Sequence, residues 1–218
     1  MITSNQNAHI LTVSQTSSPI LIWKTVDFLF IMEEAPLVKG ELVSDQTYIS
    51  DKEMIHELQL KGYGELEKEK LFLKSFESLY LLYADKLILR KGKKQINFDD
   101  LMGICQKNDS ETLTKFLIYR DLKTRGYVVK DGFGFGSDFR VYERGQFGEK
   151  GAKFLIFGLN EGQQEKMGTL QKKIEQITQM GKEPIIAVIE RRGEVIYYKI
   201  NRMNFYENKT GLEELSQL

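Results

Sequence analysis

The sequence predicts an α/β (α+β) protein with a small N-terminal mixed α/β domain and a C-terminal domain in which helices flank a central mixed sheet. Three observations support this. Short apolar or alternating segments typical of strands are interspersed with segments of helical periodicity. The polar stretch QKNDSE separates two apolar regions and indicates a boundary near residues 105–110. At 218 residues the chain is long enough to form two small domains.

The predicted N-terminal domain covers residues 33–106 and follows an extension, residues 1–32, that begins with a polar stretch. Its elements are predicted from apolar spacing, caps and glycine stops. They are a hairpin over 37–49 with turns at Lys39-Gly40 and Ser44-Asp45, a helix capped by Ser50 and Asp51 and stopped by Gly62, a helix over 75–84, a strand over 87–89 and a helix over 98–104. A basic turn, RKGKK, follows the strand.

The predicted C-terminal domain covers residues 107–208, and a tail of residues 209–218 follows it. Its strands are predicted to form one sheet, and its two helices are predicted to pack on that sheet. The elements are a helix capped by Asp109 or Ser110 and ended by Gly126, a strand at YVVK, the turn GFGFG, strands over 138–144 and 153–159, a helix over 169–180, and strands over 184–189 and 194–200 joined at Arg192-Gly193.

Composition limits the function classes. The net charge is zero, so nucleic-acid binding would need a local basic patch. One such run extends from Lys115 to Lys130, but on charge alone it is more typical of a solvated helix face. One cysteine, Cys105, and the lack of a long uncharged apolar stretch predict a cytoplasmic protein without a membrane anchor.

Metal and cofactor sites are not predicted. A strand follows GFGFG, whereas a dinucleotide fingerprint opens a helix, so the glycines indicate a tight connection. One cysteine and two distant histidines cannot form a zinc site. After Asp138 the next strand lacks the acidic-any-lysine triplet of metal-dependent nucleases.

Metal-free RNA cleavage is a further possibility, and it needs a general base, a general acid and a cation that stabilises the phosphorane. Histidine is the usual acid because its ordinary pKa is about 6.5. The only histidines, His9 and His56, precede the predicted C-terminal domain. That domain therefore has no histidine acid.

In the strand over 138–144, Arg140, Tyr142 and Arg144 share one face, which suits contact with RNA or a partner.

The run FLIYRDLKTRGYVVKDGFGFGSDFRVYERG, Phe116 to Gly145, resembles the signature of the archaeal-type tRNA-splicing endonuclease family. The resemblance continues through AKFLI, the helix over 169–180, GKEPIIAVIE and GEVIYY, and more weakly through KGYGE and SFESLYLLYADKL. It implies a nuclease-like C-terminal domain that acts on the bulge-helix-bulge junction of precursor tRNA without a metal.

The resemblance implies roles for individual residues. Tyr142 matches the tyrosine that acts as general base, and Lys182 matches the lysine that stabilises the phosphorane. The family histidine would stand at Gly151, and glycine cannot transfer a proton. The predicted RNA-binding residues are Arg140, Arg144 and Lys153.

Two further departures fall on functional positions. The family uses arginine in the following helix to hold a bulged base, whereas residues 169–180 contain lysines and no arginine. The turn that is usually acidic and docks into a neighbouring subunit is here Glu190-Arg191-Arg192-Gly193-Glu194.

These departures favour an architectural subunit of a hetero-oligomer, a hetero-tetramer or another assembly, in which a second, histidine-bearing subunit completes the site. The alternative is that this chain cuts RNA itself with Tyr142, Lys182 and a substitute acid: Lys150, Lys153 or solvent. An ordinary ammonium with a pKa near 10.4 is a poor acid at pH 7. A third hypothesis is an RNA-binding or assembly protein that no longer takes part in splicing.

Overall fold

The computed structural model describes residues 37–132, 136–161 and 167–200, and within these ranges it contains two mixed sheets and five helices. The predicted extension over 1–32, the predicted tail over 209–218 and the middle of the GFGFG turn lie outside the described residues. The predicted fold class is confirmed. The predicted domain boundaries stay predictions.

The first half of the described chain forms a six-stranded sheet in the order β3-β4-β2-β1-β5-β6. β1 and β5 are parallel, and the other neighbours are antiparallel. Its elements are β1 (Val38–Val43), β2 (Gln46–Ile49), α1 (Lys52–Leu60), β3 (Glu65–Glu67), β4 (Lys70–Leu73), α2 (Ser75–Tyr83), β5 (Leu87–Lys91), β6 (Lys94–Ile96) and α3 (Phe98–Asn108).

The second half forms a five-stranded sheet in the order β11-β10-β9-β8-β7. β9 and β10 are parallel and α5 connects them, as a parallel crossover requires. The elements are α4 (Thr112–Thr124), β7 (Val128–Asp131), β8 (Phe139–Tyr142), β9 (Phe154–Asn160), α5 (Met167–Gln179), β10 (Glu183–Ile189) and β11 (Val195–Lys199).

Two apolar clusters show how helices cover the second sheet. On one side, side chains of α4 share the main core with Phe139, Val141 and Ile156 of the sheet. On the other, Leu155 and Phe157 of β9 form a separate cluster with Ile177 of α5. The sheet is therefore packed between two helices, which confirms the predicted layout.

The main core continues from one sheet to the other. The Phe76 ring of α2 lies 4.9 Å from the Tyr119 ring of α4 and 5.0 Å from the Phe139 ring of β8, measured between centroids. All three side chains are at most 3% exposed. Burial of these large rings in one cluster makes the two sheets stabilise each other.

Polar contacts join the halves beside this aromatic cluster. The Glu77 carboxylate of α2 is buried and accepts hydrogen bonds from the N–H groups of Gly64 and Lys74, at 3.0 and 2.9 Å. The Lys130 ammonium of β7 donates to the Gly64 carbonyl at 2.6 Å. The Lys123 ammonium of α4 lies 4.1 Å from the centroid of the Tyr63 ring. The loop at Gly62-Tyr63-Gly64 is thus held by both halves.

The loop requires glycine at position 62. Its φ is +77°, and a Cβ there would lie 2.3 Å from Cγ1 of Val128 in β7. Any larger residue would have to adopt a strained backbone and also displace the Val128 side chain.

Most predicted elements are confirmed, with five differences. The N-cap of α4 is Glu111 rather than the predicted Asp109 or Ser110. The predicted turn at Lys39-Gly40 is wrong, since both residues lie inside β1. β3, β4 and β6 were not predicted, and Lys94, the last residue of the predicted turn RKGKK, begins β6. α3 continues to Asn108 rather than ending at 104. β8 covers only Phe139–Tyr142, so Arg144 lies beyond the strand. Within the described ranges, none of the helices has the length and apolarity needed to cross a lipid bilayer.

Candidate active site

Tyr142 is the last residue of β8 and alternates with buried residues of that strand. Phe139 and Val141 are 0% and 1% exposed, whereas Tyr142 is half-buried. Its ring contacts the Phe147 ring edge-on, with centroids 5.0 Å apart and an interplanar angle of 90°. Phe147 belongs to the connection between β8 and β9. This connection therefore folds back and orients the Tyr142 ring.

Lys182 lies between α5 and β10, and the end of the helix fixes its position. The Gly181 N–H donates to the Thr178 carbonyl at 3.0 Å, and the Lys182 N–H donates to the Ile177 carbonyl at 3.1 Å. Gly181 has a φ of +68°. This pair of hydrogen bonds with a left-handed glycine is the Schellman motif. The Lys182 ammonium donates to the Ala152 carbonyl, just before β9.

Gly151 stands next to the Lys182 ammonium. A Cβ built on Gly151 would lie 3.2 Å from Lys182 Nζ, and apart from the chain neighbours no other described heavy atom would lie within 4 Å. Gly151 is exposed, and its φ lies outside the left-handed region. An L residue would therefore fit here once the flexible lysine shifts slightly.

Tyr142, Gly151 and Lys182 lie at one end of the second sheet. β8 is antiparallel to β9, and β9 is parallel to β10, so the end of β8 adjoins the starts of β9 and β10. The pairing continues past the strands, where the Lys153 N–H donates to the Val141 carbonyl at 2.9 Å. Neighbouring strands are about 4.8 Å apart. The three sequence-predicted positions therefore occupy three adjacent strand ends.

Lys153 is held by carboxylates. Its ammonium is paired with Glu143 and lies 4.0 Å from an oxygen of Glu183. Glu183 is also paired with Lys199, at 2.8 Å. The hydrogen bond to Glu143 raises the pKa of the Lys153 ammonium, and the hydrogen bond from Lys199 lowers the pKa of Glu183. The four side chains form an ion-pair chain along the ends of four strands.

Arg140 and Arg144, the other two predicted RNA-binding residues, lie in different surroundings. Arg140 is half-buried in the middle of the sheet, between Lys130 of β7 and Leu155 of β9. The Arg144 guanidinium lies over the Tyr127 ring, 5.1 Å from its centroid. The structure thus places Arg140 on the strand that carries Tyr142, and Arg144 against an aromatic ring beyond it.

Phe147, Glu143 and Glu183 were not predicted as parts of the site. Phe147 supports the Tyr142 ring, and the two glutamates bind Lys153. Each glutamate is next to a predicted site residue in the sequence, following Tyr142 and Lys182. Their meeting at Lys153 depends on strand register, which sequence spacing does not reveal.

A tyrosine, as its phenolate, can accept a proton, and an ammonium can stabilise negative charge. Here the two lie at the ends of β8 and β10, on either side of the start of β9. An acid that gives up its proton readily near pH 7 is missing from this half, because residues 107–218 contain no histidine. The side chains at this end of the sheet therefore suit part of an acid–base reaction on a phosphate, with the acid unassigned.

Family models match both halves of the chain. The N-terminal domain of the tRNA intron endonucleases matches residues 38–102, and their catalytic C-terminal domain matches residues 112–197. The two matches include both sheets, apart from the last two residues of β11, and the three positions at the end of the second sheet.

Individual relatives extend over the same region. The chain is 31% identical to a tRNA-splicing endonuclease of Pyrococcus furiosus over 170 residues, which cover 78% of this chain and 98% of that protein. It is 34% identical to a tRNA-splicing endonuclease of Methanococcus maripaludis over 164 residues, which cover 75% of this chain and 93% of that protein. It is 32% identical to a tRNA-splicing endonuclease of Thermococcus kodakarensis over 165 residues, which cover 75% of this chain and 97% of that protein. The chain belongs to the tRNA intron endonuclease family.

Proposed function

We propose that this chain is a subunit of a tRNA-splicing endonuclease and that it helps to remove introns from precursor tRNA without cutting RNA itself. The observation that carries the proposal is Gly151, which stands beside the Lys182 ammonium where a proton-donating side chain would complete the site. The named relatives are tRNA-splicing endonucleases, and the match covers both halves of the chain.

The proposed reaction of the assembly is a metal-independent transesterification at the bulge-helix-bulge junction. The 2′-oxygen attacks the adjacent phosphorus while a base takes its proton. The bond to the 5′-oxygen then breaks, and an acid gives that oxygen a proton. The products are a 2′,3′-cyclic phosphate and a 5′-hydroxyl. In this scheme Tyr142 corresponds to the base and Lys182 to the cation, and no residue of this chain corresponds to the acid.

The ion pairs of Lys153 support the non-cutting role. Lys153 is one of the residues that could replace the missing acid, but its pairing with Glu143 raises the pKa of its ammonium. A higher pKa makes proton transfer to a leaving oxygen slower near pH 7. Of the lysine alternatives, Lys150 remains, and it is exposed at the same end of the sheet.

The proposal requires a partner. A second, histidine-bearing endonuclease subunit would supply a full catalytic set, and the two chains would form a hetero-tetramer or another hetero-oligomer in the cytoplasm. The second candidate function is that this chain is the cutting subunit, which the retention of Tyr142 and Lys182 favours.

Cleavage of a bulge-helix-bulge RNA by the purified chain, with chelator present, tests the proposal. We expect no cleavage by the chain alone, and cleavage when the histidine-bearing subunit is added. Metal-independent cleavage by this chain alone, abolished by Tyr142→Phe, would show that the second candidate is correct. In that case Lys150→Gln would report whether Lys150 is the acid, and Lys52→Gln, which removes an exposed lysine of α1, is the matched control.

A further inference from the structure

The turn between β5 and β6 carries an unusual concentration of positive charge. Residues 90–94, here called the basic hairpin, read Arg-Lys-Gly-Lys-Lys, and all five are exposed. The whole chain has equal numbers of basic and acidic residues, 31 of each. The hairpin is therefore a local positive site on a chain without net charge, which is where a polyanion would be attracted.

The register of the basic hairpin places like charges against each other. Lys91 of β5 is the direct cross-strand partner of Lys94 of β6. Like charges at directly opposed positions destabilise a strand pair. Gly92, with a φ of +59°, occupies the first position of the two-residue turn, and a Cβ there would meet no described atom within 4 Å. The tip therefore projects into open space.

Little in the protein neutralises this charge. Among the residues that the structure describes, the hairpin makes one ion pair, between Lys94 and Asp100 of α3 at 3.3 Å. Their side chains are 69% and 35% exposed, and pairs this exposed contribute little to stability. Arg90 has one acidic neighbour in the sheet, Glu41 of β1. Lys91 and Lys93 have no ion pair within the same described residues.

The hairpin at the opposite edge of the same sheet provides a comparison. The turn between β3 and β4 also projects from an edge strand and is also exposed. Its cross-strand pair, however, is Glu67 with Lys70, and its turn residues are Lys68 and Glu69. Opposite charges in these positions favour the strand pair. Guarding an edge strand with charged residues therefore does not require charges of one sign.

We propose that the basic hairpin binds phosphate groups of the precursor RNA, at a surface separate from the candidate active site. This inference rests on the proposed function, which makes an RNA the available polyanion. Lysines act as point charges toward phosphates, and bound phosphates remove the repulsion between Lys91 and Lys94. The hairpin belongs to the first sheet, whereas Tyr142 and Lys182 lie at the end of the second.

The test is the salt dependence of precursor tRNA binding, measured on the full chain and on its assembly with the histidine-bearing subunit. The variant is Lys91→Gln with Lys93→Gln, which keeps the Lys94–Asp100 pair. For every phosphate that the protein no longer neutralises, the slope of log binding constant against log salt becomes shallower by roughly 0.9 on a duplex. We expect the double variant to lower the slope by about 1.8 and to weaken binding at low salt.

The matched control is Lys68→Gln with Lys70→Gln, which removes the same number of charges from the opposite hairpin. Its slope should equal that of the unaltered chain. Removing the Lys91–Lys94 repulsion should also leave the thermal midpoint of the hairpin variant unchanged or higher, which shows that it folds.

Four outcomes would overturn the inference. An unchanged slope in the hairpin variant would exclude phosphate binding by the hairpin while leaving the proposed function intact. An unchanged slope together with failure to assemble would identify an acidic protein surface as the partner of the hairpin. An unchanged slope together with aggregation would show that the hairpin charges protect the edge strand from pairing with other chains. If the unaltered chain and its assembly both fail to bind precursor tRNA, the proposed function fails as well.

Discussion

Gly151 is exposed, and beyond its chain neighbours the one described heavy atom near the position of its missing Cβ is Lys182 Nζ, 3.2 Å away. A histidine at this position would place an imidazole beside the ammonium and at the strand end next to Tyr142. The backbone needs no left-handed conformation there, so the substitution tests chemistry rather than folding.

We expect Gly151→His to give the isolated chain metal-independent cleavage of a bulge-helix-bulge RNA. A positioned acid contributes on the order of 10²–10⁴ in rate. The neighbouring Lys182 ammonium lowers the pKa of the new imidazole, so the rate should fall as the pH rises, with a midpoint below the ordinary value of about 6.5. The rate constant under chelator, measured from pH 5.5 to 8.5, checks this.

Two control variants make this result interpretable. Gly151→Gln fills the same space without a group that titrates near neutrality, and it should stay inactive. Adding Tyr142→Phe to Gly151→His should remove the new activity. A folded, RNA-binding Gly151→His chain without any cleavage would contradict the idea that the missing histidine keeps this chain inactive.

At the scale of elements, the C-terminal end of α5 positions Lys182. The Schellman motif needs the left-handed φ of +68° at Gly181, where a Cβ would meet no described atom within 4 Å. Gly103, inside α3, is a matched glycine, because its Cβ would also meet nothing and its φ is not positive. Because an added Cβ meets no neighbour at either position, comparing the two substitutions isolates the effect of backbone conformation from that of packing.

Gly181→Ala and Gly103→Ala should therefore have opposite effects on stability. Alanine in a left-handed conformation costs about 1–2 kcal/mol, so we expect Gly181→Ala to lower the free energy of unfolding by about that amount. Alanine in a helix interior is better than glycine by about 0.5–1 kcal/mol, so Gly103→Ala should raise it. Urea unfolding with unchanged slope measures both. Equal effects would show that the end of α5 is not constrained as described.

Helices were predicted well from the sequence because their signals are local. The Asp51 carboxylate accepts hydrogen bonds from the N–H groups of Glu53 and Met54, as a cap at that residue predicts. Strands β3, β4 and β6 were missed. All three residues of β3 are exposed and show no alternation, and β6 is only three residues long. Gly40 was misread as a turn. Its Cβ would lie 3.0 Å from Ile49 Cδ1 and 3.1 Å from Leu87 Cδ1, so glycine allows close packing inside β1.

The candidate site likewise has a part that could be predicted from the sequence and a part that could not. Tyr142, Gly151 and Lys182 lie in sequence motifs, so matching those motifs was enough to name them. The ion pairs of Lys153 with Glu143 and Glu183 join three strands, and their existence depends on register and on the path of the connection between β8 and β9. Contacts of this kind are set by the whole sheet and are not readable from spacing.

At the scale of the whole molecule, titratable groups lie buried between the two halves. Burial lowers the pKa of Lys123 to about 8 and raises the pKa of Glu77. An ordinary lysine has a pKa near 10.4. Between these pH values the unfolded chain binds more protons at Lys123 than the folded chain does, so this residue makes stability rise with pH.

We expect the free energy of unfolding to increase from pH 8 to pH 9.5 relative to that of a Lys123→Met variant, by on the order of 1–3 kcal/mol. The comparison with the variant is necessary because the raised pKa values of the buried Tyr63 and Tyr119 act in the opposite direction at higher pH. Urea unfolding of both proteins over this range measures the difference. Parallel curves would mean that Lys123 keeps an ordinary pKa in the folded chain.

The contact of Phe76 with Tyr119 and Phe139 has a consequence for how the molecule is divided. The family models match two separate segments, 38–102 and 112–197, as if each were a module. Yet a fragment starting at residue 107 would expose two large aromatic rings that Phe76 covers, and a fragment ending at 106 would uncover Phe76 itself. We therefore expect a stable, protease-resistant fragment to contain both matched segments.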